Sequence, residues 1–247
     1  MSFQGLADDL SSKIQGVNRY NPENVTDLTK CVEAMINENQ YDKDICLTIL
    51  KLFQLNPDKF NEAAVKNVLM KTLMVLPKAD FSLAKCLIDT SKIQSQPLKL
   101  VVDIGFILES CDFGTFWKLM KGDYKPSMDP NEPFKIPQEV PRLIKTVNGF
   151  EEAVRNYICR VISATFQKAE KSSVSNLLGG ASDAQLKEYA QKHDWKLESD
   201  DPNVFFINNH EEKIRSRNID EKLQFADFVP LLSKLPQPTQ VPEKYLQ

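Results

Sequence analysis

Residues 182–207 read Ser182-Asp183-Ala184-Gln185-Leu186-Lys187-Glu188-Tyr189-Ala190-Gln191-Lys192-His193-Asp194-Trp195-Lys196-Leu197-Glu198-Ser199-Asp200-Asp201-Pro202-Asn203-Val204-Phe205-Phe206-Ile207. Ser182 followed three residues later by Gln185 is a capping box, which starts a helix by satisfying its free N–H groups. Leu186, Tyr189 and Ala190 then give that helix an apolar face. Asp200-Asp201-Pro202 reads as a turn, and Val204-Phe205-Phe206-Ile207 as a strand. Asn208-Asn209-His210 can turn the chain, so residues 213–217 are expected to return as the partner strand.

Working upstream, Phe150, Val154, Tyr157, Ile158, Val161, Ile162 and Phe166 lie at helical spacing. A short helix is expected from Val174 to Leu178, closed by Gly179-Gly180. Three helices and then a hairpin is the order of a winged helix. Downstream, Ile219, Leu223, Phe225, Phe228, Leu231 and Leu232 form a last apolar set. Residues 222–225 are open between helix and strand. The winged-helix domain with its C-terminal helix is therefore placed at 148–232, and 233–247, with three prolines, is expected to be a mobile tail.

The first 121 residues repeat one pattern. Asn21-Pro22 and Asn56-Pro57 are cap-and-start signals, because proline at the first helical turn forfeits no hydrogen bond. Apolar stripes follow each start: Leu28, Val32 and Met35; Ile45, Ile49 and Leu52; Val68, Leu69 and Leu73; Phe81, Ala84 and Ile88. The stripe from Leu98 to Leu108 is apolar nearly all round and should be central. Phe113, Phe116 and Trp117 line a last short helix after Asp112. Helix pairs recur roughly every 35–40 residues, the band of helical solenoids. The fold class is thus mainly α: a helical-repeat domain (HEAT- or TPR-like) at 1–121, then a winged helix with a small β-hairpin. Residues 122–147 hold Pro126, Pro130, Pro133, Pro137 and Pro141 and read as an extended connector, the alternative being an insertion wrapped on one domain.

Composition sets few limits beyond a globular protein. Apolar residues are 42%, charged residues 26% and the net charge is −3, a balance that does not hold a chain to nucleic acid by overall charge. The opening residues carry no basic, apolar leader, so no secretory signal is expected. Cys31, Cys46, Cys86, Cys111 and Cys159 make no CxxC pair and are expected to be reduced, small core residues, as in a cytoplasmic protein.

Signs of chemistry are missing from the pattern. The two histidines, His193 and His210, have no histidine or cysteine at metal-ligand spacing. No glycine elbow surrounds a serine, and Gly179-Gly180 precedes no Lys-Ser/Thr. No catalytic residue, cofactor or metal is expected. Lys71, Lys78, Lys85, Lys92 and Lys99 recur every seven residues, but Pro77 and Pro97 interrupt the helix that would align them, leaving at best lysines on one rim of the stack. Lys213, Arg215 and Arg217 would share one face of a strand and could touch RNA, although Glu211, Glu212, Asp220 and Glu221 oppose them.

Several runs resemble the subunit k family of eukaryotic translation initiation factor 3. They are Arg19-Tyr20-Asn21-Pro22-Glu23-Asn24, residues 50–57, Asp80-Phe81 with Lys85-Cys86, Phe113 with Phe116-Trp117, Gly149-Phe150-Glu151, Val154-Arg155 with Ile158-Cys159, and Asn218-Ile219-Asp220-Glu221-Lys222. The resemblance implies the PCI-like plan of a helical repeat joined to a winged helix. It implies a non-catalytic, cytoplasmic scaffold subunit, paired with subunit l, in a factor that binds the small ribosomal subunit and promotes recruitment of initiator tRNA and mRNA. Other readings are a PCI-type subunit of the proteasome lid or the signalosome, a free nucleic-acid-binding winged helix, and an enzyme with an unrecognised site. Two partner surfaces are expected: Val204, Phe205, Phe206 and Ile207 as an exposed sheet edge, and Phe225, Phe228, Leu231 and Leu232 as anchors in a partner's helices.

Overall fold

The apolar stripes of the first half fold into helices. In the computed structural model, which describes residues 2–198, 200–210 and 228–230, these are α1 Phe3–Lys13, α2 Val25–Asn37, α3 Lys43–Leu55, α4 Glu62–Leu73, α5 Asp80–Cys86, α6 Thr90–Ile93, α7 Gln96–Glu109 and α8 Phe113–Lys121. Ser2, Asp42, Asn61, Asp89 and Asp112 accept backbone N–H bonds at the starts of α1, α3, α4, α6 and α8. Asn21-Pro22 and Asn56-Pro57 open short 3-10 turns that lead into the next helices. The stripes meet as expected: α2 packs on α1, α3 and α4, and α4 on α5 and α7. Leu28, Val32, Ile49, Val68, Phe81, Val101 and Ile104 are all fully enclosed. Two details differ. Val17 falls outside α1 and is exposed, and α7 turns Phe106 to solvent at 70% exposure, so that helix is not surrounded.

The proline-rich stretch is tied down. Glu132 accepts hydrogen bonds from the Tyr124 hydroxyl (2.7 Å), the Ser127 hydroxyl (2.7 Å) and the backbone N–H groups of Ser127 (3.0 Å) and Phe134 (3.2 Å). Phe134 is buried, edge-on to Tyr124. Helix α9, Glu139–Ile144, follows and buries Val140 and Ile144.

The second half runs α10 Phe150–Thr165, β1 Lys168–Glu170, α11 Lys171–Leu177, α12 Asp183–Lys192, β2 Lys196–Leu197 and β3 Val204–Phe206. Both sides of the Ser182–Gln185 capping box form. The sheet order is β1-β3-β2, with both pairings antiparallel. The mainly α architecture with a small sheet agrees with the sequence. The strand at 204–206 is present, but its hairpin partner is Lys196–Leu197, across the Asp200-Asp201-Pro202 turn. Residues 213–217 lie outside the described residues. By contacts the chain divides into Met1–Asn208 and Asn209–Gln247.

Candidate interaction sites

The sheet comes first. Its central strand alternates: Phe205 and Ile207 are buried, Val204 and Phe206 half-buried. Phe205 packs its ring near Trp195 at 6.1 Å, with the Lys171 ammonium 5.7 Å from its centroid. β3 is hydrogen-bonded on both sides, Ala169 opposite Phe205 on one flank and Leu197 opposite Phe205 on the other. The expected exposed edge at Val204–Ile207 is therefore corrected. Among the described strands β1 and β2 are the outer ones, because the short strand before α11 supplies a third member that the sequence pattern did not announce.

Of the expected C-terminal anchors, Phe228 is described. It lies in a helical turn at 228–230, 42% exposed, beside Val229 at 50%. Phe225, Leu231 and Leu232 lie outside the described residues, as do Lys213, Arg215 and Arg217.

A joint fastens α10–α12 to the helical stack within Met1–Asn208. The Trp117 indole N–H donates to the Leu177 carbonyl (2.8 Å), and the Arg155 guanidinium stacks over the Trp117 ring at 4.9 Å. Gly179 has φ +82° and lies so close that a Cβ there would come 2.5 Å from the indole. Tyr157 donates to the Leu108 carbonyl (3.3 Å), and Phe113 meets the Tyr157 ring edge-on.

Beside this joint, α4, α10 and the end of α12 enclose a cleft of about 470 Å³. Residues 68–73 of α4 are buried in succession, so the helix is packed all round there and Lys71, the second of its two lysines, goes inside with it. Lys71 is 2% exposed, and its ammonium donates to Asn39 Oδ1 at 2.9 Å. Burial draws its pKa down to about 8. Asn39 in turn abuts Gly149, whose φ of +77° and lack of a Cβ admit the amide. Arg160 and Lys192 line the same cleft. Arg160 donates to the Leu76 carbonyl (3.4 Å), and Lys192 sits 4.0 Å from Glu152, itself bonded by the Tyr189 hydroxyl at 2.7 Å.

His193 caps α12 at the cleft's rim, stacked on Trp195. A cation would suit a helix C-terminus, but burial lowers the histidine's pKa, with Lys192 and Arg160 adding to the effect. Among the described residues, its Nε2 and the Asn156 Oδ1 are buried at the cleft without a hydrogen-bond partner.

The heptad of lysines thus conceals one residue unlike the rest. Lys85 pairs with Glu109 and Lys92 covers Phe60, both near solvent, whereas Lys71 is buried in the wall of the cleft. The available signal was the unbroken run Val68-Leu69-Met70 before it and Thr72-Leu73-Met74 after it. All five cysteines are free; Cys31, Cys46 and Cys159 are buried as expected, while Cys86 and Cys111 are exposed. Burial raises the pKa of Cys31 to about 11 and of Cys46 and Cys159 to about 12, which keeps them inert thiols. Among the described residues no cluster of histidine, cysteine and carboxylate could hold a metal ion.

The model of the CSN8/PSMD8/EIF3K family matches residues 59–218, from the 3-10 turn before α4 to beyond β3. The chain belongs to this family. The matched span contains the joint, the whole sheet and the cleft residues from Lys71 onward, while Asn39 and Tyr41 of the cleft precede it. Similar curated relatives are the eukaryotic translation initiation factor 3 subunit K of Caenorhabditis elegans, 59% identical over 96% of this chain and 99% of the relative. The same-named proteins of Brugia malayi, 55% identical over 94% and 98%, and Homo sapiens, 34% identical over 90% and 94%, match along nearly their whole length too.

Proposed function

We propose that this chain is a non-catalytic scaffold subunit of translation initiation factor 3, the complex that binds the small ribosomal subunit and promotes mRNA and initiator tRNA recruitment. One observation carries the reading: near full-length identity, 59% in one relative, to proteins named as subunit K of that factor. The three-part family name also covers other assemblies. The full-length relatives favour the initiation factor over the proteasome lid or the signalosome. A stack of helices suits the role, because it offers broad, preformed surfaces at low ordering cost.

Subunit l is the proposed direct partner, and the cytoplasm the proposed location. The helical repeat at 1–121 and the winged helix at 148–232 are the proposed working parts. Contact with the partner runs through Phe225, Phe228, Leu231 and Leu232, with exposed Phe228 as a ready anchor. Lys213, Arg215 and Arg217 are the residues proposed to reach RNA. With β3 internal, added strands would have to join at β1 or β2.

Mass spectrometry of what co-purifies with a tagged copy tests this. Initiation factor 3 subunits and small-subunit ribosomal proteins are expected; recovery of proteasome-lid or signalosome subunits in their place overturns it. The double substitution Phe228→Asp with Leu232→Asp is expected to release the chain from the complex while leaving it folded. Full incorporation of that variant refutes the C-terminal anchor.

A further inference from the structure

Among the described residues, the cleft between α4, α10 and the end of α12 holds more positive than negative charge, and of its cations only Lys192 has a carboxylate partner, Glu152. Three basic side chains, Lys71, Arg160 and Lys192, line it against one carboxylate, Glu152. That carboxylate is already engaged by the Tyr189 hydroxyl and the Asn156 amide (3.0 Å). Among the described residues neither Lys71 nor Arg160 forms an ion pair; their partners are the neutral oxygens of Asn39 and Leu76. An ammonium has three donors, and Lys71 uses one of them while 2% exposed. Uncompensated buried charge costs several kcal/mol, so a chain that keeps it gains from an anion in reach. The unpartnered Asn156 Oδ1 and His193 Nε2 add polar atoms to the same walls.

We infer that this cleft is a binding site for a phosphate monoester, its phosphoryl group seated between Lys71 on α4 and Arg160 and Lys192 on the opposite side. The surplus of two positive charges, three cations less one carboxylate, matches a group carrying about −1.5 to −2 near neutrality. Arg160 offers the planar fork that suits phosphate oxygens, and Lys71 a buried point charge. Asn156 Oδ1 can accept from a hydroxyl or amide N–H next to the ester. The volume, about 470 Å³, lies in the range of small-ligand sites. The phosphoryl group can come from a free phosphorylated metabolite or a phosphorylated side chain of another protein; the shared chemistry is the dianion. This site is independent of membership in the initiation factor.

Calorimetric titration of the full chain at pH 7 with glycerol phosphate and with a phosphoserine peptide tests it. One-site, saturable binding is expected for at least one probe. Each of Arg160→Gln and Lys192→Gln, surface changes that leave the core intact, should weaken it about tenfold, the ~1.4 kcal/mol of one charged hydrogen bond. The dephosphorylated peptide and glycerol should not bind. A tighter peptide assigns the source to a protein side chain; tighter glycerol phosphate assigns it to a metabolite. Lys71→Met is expected to abolish binding, and its circular dichroism and melting curve report whether the fold survives. Absence of binding to either probe at millimolar concentration, or binding unchanged in both Arg160→Gln and Lys192→Gln, overturns the inference.

Discussion

In the helical stack, Leu28, Val32, Ile49, Val68, Leu69, Phe81 and Val101 interlock as apolar stripes, with α4 packed against α2, α5 and α7. From α10 to β3, single polar ties across long chain separations share the holding. Trp117 donates to Leu177, Arg155 to Leu178 at 3.3 Å, Tyr157 to Leu108, Tyr189 to Glu152 and Trp195 to Ser163 at 2.8 Å. The difference follows from composition. A helix with a full stripe needs only a neighbour's stripe, whereas α12 has a weak face of Leu186, Tyr189 and Ala190 and short strands to lean on. Aromatic residues with a polar tip serve there because one side chain both fills space and fixes direction. The stack should therefore yield to lost volume, and the joint to lost geometry.

Phe81→Ala should have the largest effect. The ring is fully enclosed and fills the gap left by Gly105. Its removal is expected to cost about 3–5 kcal/mol of unfolding free energy, read by urea titration. If the loss is under about 1 kcal/mol, the stack collapses around voids and its stripes are not close-packed.

Gly179→Ala comes next and tests geometry alone, since it adds one carbon and removes nothing. The left-handed backbone costs roughly 1–2 kcal/mol and the collision with Trp117 roughly 1–3 kcal/mol more. In a Trp117→Ala background the collision atoms are gone, because all of them belong to the indole ring. The cost of Gly179→Ala should then fall to the backbone part. Equal costs in both backgrounds would show that the joint does not rest on this contact. Trp117→Phe by itself leaves the Leu177 carbonyl without its donor, worth about 1–3 kcal/mol where that carbonyl is shut from water.

These contrasts also explain what the sequence could announce. Stripes at 3.6-residue spacing are local, so α2, α3, α4, α5 and α8 were legible from Leu28, Ile49, Val68, Phe81 and Phe116. The capping box at Ser182 was legible for the same reason. Strand β1 was not, because Lys168-Ala169-Glu170 has no apolar alternation, and its order comes from pairing with β3. The partner of Val204–Phe206 was misjudged because charged Lys196-Leu197 is too short to signal a strand. Lys71 showed itself as part of a regular lysine spacing, yet its burial depends on α2, α5 and α7 closing round α4. Burial of one charge is a tertiary fact, and the cleft it lines could not be read before the fold.

The proline-rich segment gives the smallest and most local test. Glu132 collects four hydrogen bonds from Tyr124, Ser127 and Phe134. These, the Tyr124 hydroxyl foremost, hold its pKa down, from 4.5 to about 2. A carboxyl whose folded pKa is depressed stabilises above its unfolded pKa and ceases to do so as pH falls through the folded value. The segment's fastening should be complete at pH 6 and above, and weaken from about 4.5 towards about 2. Glu132→Gln removes the charge at every pH and keeps the shape, so it should flatten that part of the pH profile. It should lower the melting temperature less than Trp117→Phe does, because Phe134 remains free to pack. Hydrogen exchange at Ser127 and Phe134 is the direct measurement: both amides should exchange faster in the variant at pH 7, with α7 and α8 unchanged. If exchange at α7 and α8 rises as well, the proline-rich segment supports the stack it lies on, and the two means of holding shape meet there.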